Sequence, residues 1–205
     1  YATNGATWSE RYAGVWHLAE TSGNSMDSSA NGLTGYPSNG VIQAASGQIN
    51  GADDFDGTTS RTFIGSHAVL NNLTNNFTVS AWIRPDILGG NRVIFGSHWA
   101  SPNGWSLRMV DTAPAIERLG PTLVYNSGVA MTAGQWAAVS AVYDTDNDVT
   151  FYINGNPVAV IAGTNAAPVA TQPWSIGANT GDRFNGIIDE VQVSQRARSS
   201  NWIWA

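Results

Sequence analysis

The feature that most constrains this sequence is a two-residue alternation that restarts after every short turn. In FTVSAWIRP, Phe77, Val79, Ala81 and Ile83 interleave with Thr78, Ser80, Trp82 and Arg84, so an extended chain is apolar on one side only. Pro85 ends the run because it has no N–H to give to a sheet ladder. Strands are also expected in GVWHLAE, GADDFDG, RTFIG, NRVIFGSH, GWSLRMV, TLVYN, QWAAVSAVYD, VTFYING, NPVAVIAG, WSIGA and FNGIIDEVQVS. Between two of them, Asn154-Gly155 predicts a two-residue hairpin turn. Only SHAVLNNL and the closing SSNWIWA suit helices, the second with Ser199 or Ser200 as N-cap. A dozen short strands with Gly-rich turns and no βαβ rhythm predict an all-β sandwich of two antiparallel sheets with jelly-roll connectivity.

The 205 residues are enough for one large core, taken as residues 12–205. Residues 1–11, YATNGATWSER, lack alternation and read as a lead-in from a preceding domain of a longer protein. There is no cysteine, which excludes disulfides and thiol catalysis. With no lysine and a net charge of −6, the chain is unsuited to non-specific binding of nucleic acid or anionic lipid. No run of about 18 apolar residues is present, so membrane insertion is not expected.

The segment FNGIIDEVQVS poses a chemical problem. Strict alternation puts Ile187, Asp189, Val191 and Val193 on one face and Ile188, Glu190, Gln192 and Ser194 on the other. A lone carboxylate on an apolar face costs several kcal/mol unless something answers it. Backbone amides, an arginine such as Arg61 or Arg11, a proton, or a hard cation would each serve. Asp27 opens DSSANG, either as an Asx-turn or as a further cation ligand. Asp53, Asp54 and Asp56 crowd GADDFDG and are expected to be solvated, since like charges repel. Asp144, Asp146 and Asp148 have EF-hand-like spacing but fail the test. Val149 stands where the loop needs its Gly, and Gly155 where it needs its Glu.

Catalytic patterns are missing. The four Glu are Glu10, Glu20, Glu117 and Glu190, and none lies in a Glu-x-Asp-x-(x)-Glu strand of the kind a retaining glycosidase uses. Alternation would send Asp189 and Glu190 to opposite faces. His17, His67 and His98 have no metal-ligand spacing, and no G-x-S-x-G elbow occurs.

Several phrases also stand in a familiar order: GVWHLAETSGN, DSSANGLTG, GQINGADDFDG, FTVSAWIRP, GQWAAVSAVYD, FYINGNPV, WSIGA and FNGIIDEVQVSQRARSSNWI. Across roughly residues 14–204 the chain resembles the LamG-like jelly-roll domains of the concanavalin A-like lectin/glucanase superfamily, found in bacterial extracellular and surface proteins. The resemblance implies an extracellular or cell-surface location and a structural Ca²⁺. Its ligands would be Asp189 and backbone near Gly57 and Gly14, with Asp27 a further candidate. Trp16, Trp136, Phe55, Phe77, Phe151 and Phe184 lie in the matching phrases and are expected in the core, and Trp174 as well. Sugars are held by aromatic faces with polar side chains around them. The candidate ligand set is therefore Trp82, on the concave surface, with His98, Trp99, Asn103, Trp105, Arg108, Asp111 and Tyr125 from the Gly- and Pro-rich middle. The expected function is a non-catalytic glycan-binding or adhesion module, monomeric and set among neighbouring domains. A structural spacer domain is the alternative, and a polysaccharide-cleaving enzyme ranks below both.

Overall fold

The computed structural model describes residue 8 and residues 11–97, 103–119 and 122–204. The strands are β1 (Tyr12–Trp16), β2 (Tyr36–Ser38), β3 (Ile42–Ser46), β4 (Gly51–Asp56), β5 (Arg61–Gly65), β6 (Phe77–Pro85), β7 (Asn91–Ser97) and β8 (Gly104–Val110). They continue as β9 (Ala113–Leu119), β10 (Leu123–Asn126), β11 (Ala137–Tyr143), β12 (Val149–Ile153), β13 (Asn156–Ile161), β14 (Trp174–Ile176) and β15 (Asn185–Ser194). Two short helices, α1 (Ala68–Asn71) and α2 (Ser200–Trp204), fall where the sequence allowed them.

The strands form two antiparallel sheets. An eight-stranded sheet runs β13-β12-β11-β6-β15-β4-β3, with β1 joined to the far half of β15. A seven-stranded sheet runs β10-β9-β8-β7-β14-β5-β2. The Asn154-Gly155 turn forms as expected: both residues have positive φ (51° and 77°), the geometry whose twist matches a right-handed hairpin. Three strands were not legible. The short β2 and β3 are largely exposed, and β9 carries Pro114, Glu117 and Arg118 in a pattern that hides its alternation.

Aromatic rings fill the space between the sheets. Trp105 stacks on Phe77 (centroids 4.6 Å apart) and meets Trp174 edge-on at 4.9 Å, while Phe95 stacks on Trp174 at 5.3 Å. Each buried indole N–H has an acceptor: Trp16 donates to the Leu33 carbonyl, Trp105 to the Leu73 carbonyl and Trp174 to Asn71 Oδ1. That pairing lets a tryptophan be fully buried without an orphan donor. Trp16, Phe55, Phe77, Phe151, Phe184 and Trp174 are core residues as expected, whereas Trp136 is only half-buried.

The largest departure from the expected alternation lies in β15. Asp189 pairs with Trp82 and Gln192 with Ser80, so Glu190 and Val191 together oppose Ala81 alone. This is a β-bulge, and Glu190 takes φ 51° within it. The extra residue reverses the parity of the strand. Ile188, Val191 and Val193 all point into the core, and Asp189 turns to the outer face beside Trp82 and Ile187. Asp189 therefore does not share a face with Val191 and Val193. Nor are Asp189 and Glu190 on opposite sides, since the bulge brings both to the outer surface of the eight-stranded sheet.

Candidate functional site

The outer face of the eight-stranded sheet carries an aromatic groove of about 670 Å³, in the range of small-ligand sites. Its floor is β6, β11 and β15, whose outward residues Ser80, Trp82, Ser140 and Gln192 alternate with the core positions that fix the strands. The chain ends meet over it: Trp8, Tyr12 and Trp202 line it as one aromatic cluster, with centroids 5.1 Å apart for Trp8 and Tyr12 and 6.2 Å for Tyr12 and Trp202, and Ile203, Ile49, Asn154 and Gly155 complete the lining. Arg198 ties the cluster together, its guanidinium lying 4.7 Å from the Tyr12 ring centre and 4.8 Å from that of Trp202. Trp82 is half-buried, so part of its ring stays open to the groove.

Two acids border this groove in different states. Glu190 lines it, held by His17, whose Nδ1 lies 2.8 and 2.9 Å from the two carboxylate oxygens. Asp189 is fully buried under the turn between β3 and β4, and its Oδ2 accepts the amides of Gln48 and Ile49 at 2.8 and 2.9 Å. Gly47 makes that cover possible, because a Cβ there would stand 2.7 Å from Asp189 Oδ2 and 2.4 Å from the Gly51 carbonyl. Burial pushes the Asp189 carboxyl up to about 6, the Ile49 amide opposing, the Glu190 charge adding, and the Gln48 and Glu190 amides opposing. Of the four answers open to this acid, the structure shows backbone amides on one oxygen. Its Oδ1 has no hydrogen-bond partner among the described residues.

The outer face of the seven-stranded sheet is closed by charge. Arg108, 1% exposed, pairs with Glu117 Oε2 at 2.6 Å and Asp182 Oδ2 at 3.0 Å, and its Nε donates to Ser106 Oγ. Burial raises the Glu117 carboxyl above its usual range, Arg108 opposes this and Asp182 adds to it. Arg108 is thus a buried ion-pair hub with no free fork for a ligand. Trp105 is likewise no platform, because its ring is wholly enclosed in the core. Asp111 occupies the exposed turn between β8 and β9 with φ 54°, its carbonyl accepting the Gly89 amide. Tyr125 is half-buried on β10, its hydroxyl accepting the Asn165 amide, and Asn103 is half-buried just before β8. His98 and Trp99 lie outside the described residues. Of the described members of the expected ligand set, Trp82 alone lines the aromatic groove, and Tyr12 and Trp202 were missed there. Those two rings come together only through the chain ends, 190 positions apart, which no local pattern announces.

The four residues expected around calcium are not brought together. Asp27 is saturated as an Asx-turn: it accepts the amides of Val15, Ser29 and Leu33 and the Ser29 hydroxyl, each at 2.8–2.9 Å. Gly14 pairs with Val193, beyond the bulge, and Gly57 packs on Asn185 at the start of β15, four residues before Asp189. Among the described residues no three Asp, Glu or His side chains converge as metal ligands.

Two packed antiparallel sheets define a jelly-roll sandwich, here with an aromatic-lined groove on one outer face. The chain belongs to the concanavalin A-like lectin/glucanases superfamily, whose family model matches residues 55–204. Among solved structures it is similar to domain 4 of AbnA, a GH43 extracellular arabinanase from Geobacillus stearothermophilus in complex with arabinotriose. That match has a TM-score of 0.77 at 19% identity and covers 96% of this chain and 98% of that one. It is also similar to the binding domain of Paraclostridial Mosquitocidal Protein 1 (TM-score 0.76, 16% identity, 95% of this chain and 51% of that one). Trypanosoma rangeli sialidase shares the fold with a TM-score of 0.66 at 14% identity, over 93% of this chain and 32% of its own. The chain thus spans about half of that toxin domain and about a third of the sialidase. A search of curated proteins finds no match.

Proposed function

We propose that this domain is a non-catalytic glycan-binding module of a bacterial extracellular or cell-surface protein. On this reading it is a monomer among neighbouring domains and holds its sugar in the groove over the eight-stranded sheet. The observation that carries the reading is Trp82, a ring left partly open on a strand whose other face is core, in a groove lined also by Tyr12 and Trp202 and by the polar side chains of Ser80, Ser140, Asn154 and Gln192. Flat apolar ring faces with hydrogen-bonding groups at their margins suit the C–H faces and hydroxyls of a saccharide. The arabinotriose carried by the AbnA domain supports a glycan as the ligand class and supplies a first probe. Two observations support a non-catalytic role. Asp189 is sealed under its turn, and Glu190 is 6% exposed and engaged by His17, so neither is presented as a free acid or base.

A glycan array followed by calorimetry with arabino-oligosaccharides tests the proposal. Wild type binds at least one glycan, and Trp82→Ala weakens that binding at least about tenfold without unfolding the domain. No binding across a broad array points instead to a spacer domain. Release of shorter sugars from a polysaccharide overturns the non-catalytic reading.

A further inference from the structure

Asp53 lies between the sheets. It pairs with Ile188 and shares its side of β4 with Phe55, both core residues, so its side chain points inward, where it is 0% exposed. It is therefore not one of three solvated acids, as the crowding in GADDFDG suggested. Its Oδ2 meets only the Thr62 hydroxyl at 3.4 Å, and its Oδ1 has no hydrogen-bond partner among the described residues. An unanswered buried carboxylate is among the costliest things a fold can contain.

Among the described residues its surroundings offer oxygen, and no cation pairs with it. Glu20 gives one oxygen to the Met26 amide at 2.9 Å, while its Oε2 is buried with no partner among the described residues. Ser25 is 0% exposed and its hydroxyl also has none. Close packing joins these segments. A Cβ on Gly51, which faces inward two positions before Asp53, would lie 3.1 Å from Ala19 Cα, beside Glu20. One on Gly35 would lie 2.7 Å from Thr62 Cγ2 and 3.3 Å from Ser25 Cβ. Burial and then the charge of Glu20 push the Asp53 carboxyl up to about 7, the Thr62 hydroxyl opposing and the Asp189 charge adding, as expected where acids are gathered out of water.

We propose that Glu20 and Asp53, with the hydroxyls of Ser25 and Thr62, hold a hard divalent cation between the two sheets, calcium by its all-oxygen donors. Two carboxylates, two hydroxyls and no imidazole or thiolate suit a hard ion, and calcium fills its remaining positions from backbone carbonyls and water. Asp189 is near enough for its charge to act on Asp53, but it stands on the outer face of β15 with Oδ2 on the amides of Gln48 and Ile49, and the proposal does not depend on the glycan reading.

Chelator-stripped protein titrated with calcium chloride, by calorimetry and by thermal melting at pH 7.5, tests it. Wild type binds one calcium and gains roughly 5–10 °C in Tm at saturation. Asp53→Asn abolishes both, Glu20→Gln weakens binding at least about tenfold, and Asp189→Asn keeps both. Trp82→Ala also retains calcium while losing sugar, which separates the two proposals. The inference is overturned if stripped wild type neither binds calcium nor changes its melt, in which case Asp53 carries a proton. It is overturned equally if Asp53→Asn binds as tightly as wild type, or if Asp189→Asn alone loses the ion. Should Asp53→Asn not fold, Glu20→Gln decides, and affinity equal to wild type counts against the site.

Discussion

The two outer faces of this sandwich are built on the same alternation and finished in opposite ways. On the eight-stranded sheet the outward positions are Ser80, Trp82, Ser140 and Gln192, and the space above them is open and lined by aromatic rings. On the seven-stranded sheet the outward positions include Ser106, Arg108 and Glu117, and a buried ion-pair hub closes the surface. An outward tryptophan or arginine looks equally available in sequence. What separates Trp82 from Arg108 is what crosses over each sheet: the chain ends leave a groove over one, and Asp182 and Glu117 clamp the guanidinium on the other.

The sharpest way to break this comparison is to truncate a tryptophan on each side of the eight-stranded wall. Trp105→Ala removes a fully enclosed ring and is expected to cost about 3–5 kcal/mol, lowering Tm by roughly 10–15 °C in a thermal melt. Any loss of sugar binding in that variant reports unfolding and not a lost contact. Arg108→Ala leaves Glu117 beneath the surface without its cation, at a cost of about 3 kcal/mol, and chemical denaturation should show a clearly lower midpoint. If Arg108→Ala instead leaves stability unchanged and removes glycan binding, the two faces have been assigned the wrong way round. Trp82→Ala should do the reverse of Trp105→Ala. It is expected to cost about 1 kcal/mol or less of stability and at least about tenfold in sugar affinity, since its ring is only half-buried.

The smallest expected effect is in pH. Asp189 holds its proton up to about 6 in the fold, against 3.8 for an ordinary aspartate. Between those two values the folded state binds more protons than the unfolded chain, so stability falls as pH rises through that window and is level above it. Melting of wild type and Asp189→Asn from pH 4 to 7 should differ in slope, the variant losing less over that range. Parallel curves would show that the amides of Gln48 and Ile49 keep the carboxylate ionised throughout.

Asp189 also shows how far the sequence could be read. That an acid in FNGIIDEVQVS needed an answer was visible from its apolar neighbours, and backbone amides stood among the possible answers. Its face was not visible, because a single bulge inverts every later side chain and leaves no mark in composition or period. Asp53 was misjudged for the same kind of reason. Three acids in four positions look like a solvated turn until β4 is paired with β15, and pairing forces one of them inward beside Phe55.

The alternation of apolar and polar residues, the Asn-Gly turn and the lack of cysteine and helix-period runs together determined a two-sheet antiparallel sandwich, because burying one side of each strand leaves few other solutions. They also determined most of the aromatic core. The tertiary structure alone decided which outward residues became a groove, which became an ion-pair hub, and which carboxylates lost their water. Those outcomes depend on strand register and on segments distant in the chain crossing one another. A two-residue period specifies that a residue faces outward and says nothing of what will lie above it.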